Sequence, residues 1–281
     1  MLQYHIERMT REEVGIAIDW ARKEGWNPGL NDAECFYQAD PQGFFAGKLN
    51  NQIIAVGSAV VYDAHFAFCG LYIVDKKYRS QGYGMKLTTA RLNYINNRNA
   101  GIDGVFSMVN NYAHIGYRLA HNNARYALKH PRLRPKVDPH LVDLNTVPFE
   151  QLIQYDKQYF PASRPKFLSE WIKQSTALAL GFVSERQLMG YGVIRKCFEG
   201  YKIGPLFADT PTIAQKLFEQ LVEYAQGEIV FLDIVESNPF AVHLVNKFKM
   251  SKIFETARMY LKGAPKLYTE GIYGITTFEL G

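Results

Sequence analysis

The chain has 281 residues, 47% of them hydrophobic and 21% charged, and its 32 basic and 27 acidic side chains leave a net charge of +5. That balance excludes a disordered chain, and no run approaches the roughly 18 uninterrupted apolar residues of a membrane span. The positive charge is scattered and its one cluster, at 129–136, is broken by proline, which speaks against nucleic acid as a partner.

The three cysteines, Cys35, Cys69 and Cys197, are widely spaced and form no CxxC pair, so neither a disulfide framework nor a metal site is expected. The first residues, MLQYHIERMTREEV, are charged too early for a secretory segment, and a cytoplasmic location is the expectation.

A first strand precedes Thr10, which sits three residues before Glu13 in a capping box, and a helix follows with Val14, Ala17, Ile18 and Ala21 on one face. Residues 43–74 alternate apolar and β-branched positions around Asn-Asn and Tyr-Asp-Ala-His punctuation, a three-strand meander. A glycine-bearing loop comes next, then a helix over 83–98 with Met85, Leu87, Leu92 and Ile95 at helical spacing, then a strand at 104–109.

Pro131, Pro135 and Pro139 interrupt regular structure at 130–140. The order then repeats: three strands within 177–207, a helix at 211–226 opened by Pro211, and a strand at 228–235. We read two domains, 1–134 and 137–281, related by duplication. The class is α/β by content and α+β by strand order, each domain a mixed, mostly antiparallel sheet flanked by helices.

The loop, VDKKYRSQGYGMKL at 74–87, joins a strand end to a helix start, the place where free backbone N–H groups and the positive helix end meet an anion. It lacks the third glycine of a dinucleotide fingerprint and the Gly-Lys-Ser/Thr of a P-loop. By itself it reads equally as a tight turn.

The run Val74-Asp75-Lys76-Lys77-Tyr78-Arg79-Ser80-Gln81-Gly82-Tyr83-Gly84 closely resembles the acetyl-CoA loop of the GNAT superfamily of N-acetyltransferases. The resemblance implies that Gln81, Gly82, Tyr83 and Gly84, with Arg79 at the loop's start, hold the pyrophosphate. It also implies that Tyr72, Ile73 and Val74 pair with the pantetheine. YAHIGY at 112–117 resembles the family's Tyr-x-x-x-Gly-Phe pattern, with Tyr117 in place of Phe, and so implies Tyr112 as the acid that protonates the leaving thiolate.

The second half resembles the fold less closely at this site: LFADTPTIAQKL at 206–217 has no glycine, and Pro211 removes an N–H. Asn238 and Ala241 resemble an Asn-x-x-Ala pattern, while Val245 and Lys249 stand where the first half has Tyr112 and Gly116. The expectation is an intact cofactor site in the first half and a degenerate one in the second, and the ending, ARMYLKGAPKLYTEGIYGITTFELG, resembles the C-terminal module of bacterial proteins with two tandem GNAT domains.

The reaction so implied moves an acetyl group from acetyl-CoA to a primary amine, a small molecule or a protein lysine, by direct attack and without a metal. An amine with a pKa of about 10.4 must first lose a proton. The family's usual glutamate on the fourth strand is absent, since Phe68 falls near that position. His65 and Asp63 are the nearest titratable candidates, with Tyr72 or a water chain also open; equally, His65 is a surface histidine and Asp63 a turn former. Cys69 reads as a buried thiol rather than a nucleophile.

The segment at 18–45 sits where the family builds its acceptor wall. Trp26 and Tyr37 are candidate pocket residues there, and Asp32 or Glu34 a candidate partner for a cationic amine. A non-catalytic acyl-CoA sensor or adaptor, or catalysis in the second half, are the other readings.

Overall fold

The computed structural model describes residues 4–281. The reading of the chain's start rests partly on residues 1–3, which lie outside the described residues.

The first half runs β1 (Tyr4–Arg8), α1 (Arg11–Lys23), α2 (Asp32–Ala39), β2 (Phe44–Leu49), β3 (Gln52–Val61), β4 (Phe66–Val74), α3 (Tyr83–Ile95), β5 (Asn99–Gly104), α4 (Val109–Ile115) and β6 (Arg118–Leu128). The second half is β7 (Leu141–Asp143), α5 (Phe149–Asp156), α6 (Pro165–Trp171), β8 (Ala177–Ser184), β9 (Gln187–Lys196), β10 (Tyr201–Ala208), α7 (Pro211–Tyr224), β11 (Val230–Val235), α8 (Pro239–Lys247), β12 (Ser251–Tyr260) and β13 (Ile272–Gly274). The backbone between β6 and β7 is irregular where the prolines fall.

Local chemistry accounts for most of these boundaries. The Thr10 hydroxyl accepts from the Glu13 N–H at 3.2 Å and the Glu13 carboxylate accepts from the Thr10 N–H at 2.9 Å, so α1 starts on a closed capping box. Its buried face is Val14, Ala17, Ile18 and Ala21, as the spacing predicts. Thr210 caps α7 ahead of Pro211.

The strand expected at 104–109 is instead β5, which ends at Gly104, and Phe106–Met108 form a 3-10 turn. Pairing decided this. Gly101 lies under the Phe68 ring and Gly104 under the Tyr112 ring, positions where a β carbon would stand 2.8 and 2.7 Å from ring atoms. The apolar run that suggested a strand is only half-packed, with Phe106 47% exposed.

The 13 strands of the described residues join one sheet, ordered β1-β2-β3-β4-β5-β12-β6-β11-β10-β9-β8-β7, with β13 paired to β10. The halves exchange their last long strands. β12, from the second half, lies between β5 and β6, and β6, from the first, lies between β12 and β11. The antiparallel β6–β12 ladder runs from Ser251↔Ala127 to Tyr260↔Arg118, so the two domains share a continuous hydrogen-bonded surface.

After β13 the chain leaves the second half and crosses to the first. Residues 275–281 are buried throughout, with Phe278 and Leu280 in a core cluster that also holds Val14, Phe36, Val56 and Leu71. Backbone contacts fix the crossing: the Tyr62 hydroxyl donates to the Leu280 carbonyl at 2.9 Å, and the Ile275 N–H to the Asp233 carbonyl at 2.8 Å. Gly70 on β4 is a glycine because an added β carbon would collide with the Glu279 carbonyl.

Candidate active site

β4 and β5 run parallel, paired only over Phe66↔Asn99, Ala67↔Ala100 and Phe68↔Gly101, and then part. A bulge assists the parting. The β3–β4 register shifts between Val56 and Ser58, opposite Leu71, whose φ of +47° is unusual for a branched residue. Beyond it, the edge of β4 facing β5 has no strand to bond, and a cavity of about 550 Å³ opens there.

The glycine loop closes one end of this cavity. The Asp75 carboxylate accepts from the Lys77 N–H at 2.9 Å and starts a 3-10 turn, after which Ser80 and Gly82 take left-handed φ values of +61° and +83°. α3 then opens with no side-chain cap. Among the described residues, no group accepts a hydrogen bond from the N–H groups of Ser80 to Gly84. Several donors and a positive helix end therefore face one space, an arrangement that suits a phosphate.

The sequence-predicted residues divide into those brought to the cavity and those not. Tyr72, Ile73, Val74, Arg79, Gly82 and Gly84 line it, as do Tyr112 and Trp26. Gly84 leaves the room that the Tyr72 hydroxyl occupies. Arg79 bonds the Val74 carbonyl at 2.8 Å and Glu24 at 2.7 Å, which locks the loop onto the strand it leaves and the helix beside it. The Gln81 side chain turns back to the Lys77 carbonyl, and the Tyr83 ring packs at 4.6 Å on Tyr4, so neither side chain lines the cavity. Tyr112 stands on α4, its phenol pushed above its ordinary pKa by burial.

Five candidates fall elsewhere. His65 is exposed at the opposite end of the 9-residue β4, about 30 Å from the loop at about 3.3 Å per residue of extended strand. Asp63 beside it accepts from the His65 and Phe66 N–H groups and forms the turn. Asp32 is fully buried in a two-bond ion pair with Arg195 of β9, at 2.8 and 3.1 Å. Glu34 pairs with Arg11 at 2.6 Å on the surface, and Tyr37 packs against the core below α2. These charges were spoken for by partners that sequence spacing does not reveal.

Sequence reasoning missed what the second half contributes. Phe254 and Thr256 of β12, and Phe278 and Glu279 of the tail, also line the cavity. The Trp26 carbonyl accepts from Arg125 at 2.7 Å, and Lys202 reaches the Asn27 carbonyl at 2.9 Å, so the loop carrying Trp26 is pinned from across the exchanged strands.

The equivalent opening in the second half is filled. β10 and β11 pair in parallel only over Tyr201↔Val230 to Ile203↔Leu232, but β13 bonds β10 beyond that point. At the helix start Thr210 caps the Ile213 N–H. Asn238 holds the segment in place: its carboxamide caps α8 and donates to the carbonyls of Thr269, Glu270 and Ile272.

Residues 8–118 match the model of the acetyltransferase (GNAT) family, and residues 152–274 match that of an acetyltransferase (GNAT) domain, together taking in most of the chain. The chain belongs to the GNAT family. It is an acyltransferase of that family, with two GNAT domains in tandem. A holothin acyltransferase of Pseudoalteromonas sp. (strain SANK 73390) is 28% identical over 271 residues, 96% of this chain and 92% of that protein. Two solved structures share the fold. A putative acetyltransferase of Pyrococcus horikoshii superposes with a TM-score of 0.84 at 22% identity, covering 99% of this chain and 96% of that one. A tandem GNAT protein of the clavulanic acid biosynthesis pathway superposes at 0.65 and 11% identity, covering 94% and 100%.

Among the described residues, no His, Cys, Asp and Glu cluster is arranged to hold a metal, and no helix is long and apolar enough to cross a membrane.

Proposed function

We propose that this protein is an acetyl-CoA-dependent N-acetyltransferase that passes the acetyl group to a primary amine by direct attack, within the cavity of its first half. The observation that carries the reading is the opening between β4 and β5, lined both by the glycine loop with its unbonded amides and by Tyr112.

Each part has a task. The N–H groups of Gln81 to Gly84 and the start of α3 bind the pyrophosphate. The free edge of Tyr72, Ile73 and Val74 pairs with the amides of pantetheine, as an added strand would. A backbone N–H of β4 polarises the thioester carbonyl. The Tyr112 hydroxyl gives its proton to the sulfur as the C–S bond breaks. Burial keeps that phenol protonated through the neutral range, and it equally disfavours a bare thiolate in the same space. Trp26, Phe254 and Phe278 wall the acceptor side, which suits an amine carried on a flat or apolar body.

The plugged opening of the second half favours the first as the seat of the chemistry. The test is calorimetry with acetyl-CoA. We expect one site per chain, and at least a hundredfold weaker binding in Gly82→Glu; nothing lies within 4 Å of the added side chain's first carbon, but the left-handed φ of +83° strains a non-glycine residue there, so thermal unfolding of the variant is followed alongside and a fall of a few degrees is expected. Equal binding by the variant contradicts the proposed site.

A further inference from the structure

Three carboxylates line the cavity, and two are engaged: Glu24 holds Arg79, and Asp103 takes two bonds from Arg258 at 2.9 and 2.6 Å and one from Asn123 at 2.8 Å. The third is Glu279. It is 2% exposed, and neither carboxylate oxygen has a hydrogen-bond partner among the described residues. A buried carboxylate without a bonding partner is costly and persists only where something compensates or uses it. The tail is built to carry it there, with Phe278 and Leu280 buried on either side and Gly70 opened for its backbone.

We propose that Glu279, delivered by the second half, is the general base of the acetyl transfer performed in the first. This rests on the acetyl-transfer reading above. In the step, an ammonium N–H bond breaks and its proton passes to Glu279, directly or through one water. The freed amine lone pair forms the C–N bond at the thioester carbonyl. As the adduct collapses, the C–S pair leaves with sulfur, sulfur takes the Tyr112 proton, and the phenolate is reprotonated by the proton the new amide nitrogen sheds. Glu279 then returns its proton to water, so the sum is ammonium plus thioester to amide, thiol and one proton.

The surrounding charges suit the role. Lys202 of β10, Arg125 of β6 and Arg195 of β9 favour the ionised form, against Asp32 of α2 and burial, and burial prevails: the Glu279 carboxyl lies above the ordinary carboxylate range. A base of that kind is stronger than a surface glutamate. Arg125 and Arg195 are already matched by Asp233 and Asp32, so a purely structural reading would make Glu279 the counter-charge of Lys202.

The experiment separates the two with the isosteric Glu279→Gln in the full chain. CoA release is measured from pH 6 to 10 with a panel of strongly basic primary amines and with weakly basic hydroxylamine, and acetyl-CoA affinity by calorimetry. We expect kcat/KM to fall 10²- to 10³-fold at pH 7 with basic amines and under tenfold with hydroxylamine. The acidic limb of the profile should be lost and acetyl-CoA affinity kept within twofold. With no amine present, the slow hydrolysis of acetyl-CoA should fall at least tenfold as well. A loss equal for both amine classes at every pH, or no loss of either aminolysis or hydrolysis, overturns the proposal. Failure of the unaltered protein to bind acetyl-CoA overturns the acetyl-transfer reading itself.

Discussion

Gly82, Gly84 and Gly104 each do something different at one site. Gly82 takes a left-handed turn that starts α3 without a cap, Gly84 leaves space for the Tyr72 hydroxyl, and Gly104 leaves space for the Tyr112 ring. The Tyr112 hydroxyl is the proposed acid, so Tyr112→Phe should lower kcat by about 10²-fold or more while acetyl-CoA affinity stays within twofold, measured by CoA release and calorimetry. An unchanged kcat would leave Tyr112 a packing residue only. That the glycine loop and Tyr112 border one cavity was legible in the sequence because each is marked by spacing along the chain; the roles proposed for them rest on the tests above. Glu279 was not legible, because nothing local to ITTFELG marks a glutamate bound for a cavity built by residues 69–112. Asp32 and Glu34 misled for a related reason: their partners, Arg195 and Arg11, are joined to them only by folding.

At the scale of elements, the sequence conveyed the meanders, the capped α1 and the Pro-opened α7, all written in period and punctuation. It did not convey that β6 and β12 change places, because both alternatives bury the same strand faces and differ only in which half supplies the neighbour. Two contacts that join the halves are testable. Asp32→Asn leaves Arg195 buried without a counter-charge, and chemical denaturation should report a loss of about 3–5 kcal/mol. Leu280→Ala removes a fully buried tail side chain, with an expected cost of about 2–5 kcal/mol. A tail that contributed nothing to the core would tolerate Leu280→Ala within about 0.5 kcal/mol.

At the scale of the whole molecule, the two GNAT domains are built alike but not used alike. Both halves part their central parallel pair after a register shift in the neighbouring antiparallel pair, at Val56/Ser58 and at Ile203/Leu206. One opening is a cavity and the other holds β13, whose continuation carries Phe278 and Glu279 to the first. The halves are thus expected to depend on each other. Residues 1–134 expressed alone would leave β5 and β6 without β12, and should lack a cooperative thermal transition; mixing with residues 137–281 should restore one. Independent folding of either fragment would mean that the exchanged strands are dispensable.

The most direct measurement is a crystal structure of the full chain with acetyl-CoA. The account predicts one molecule per chain, its pyrophosphate on the N–H groups of Gln81 to Gly84, its pantetheine along Tyr72 to Val74, and its thioester between Tyr112 and Glu279. Acetyl-CoA seated at the start of α7 in the second half, or with its thioester away from both side chains, would contradict it.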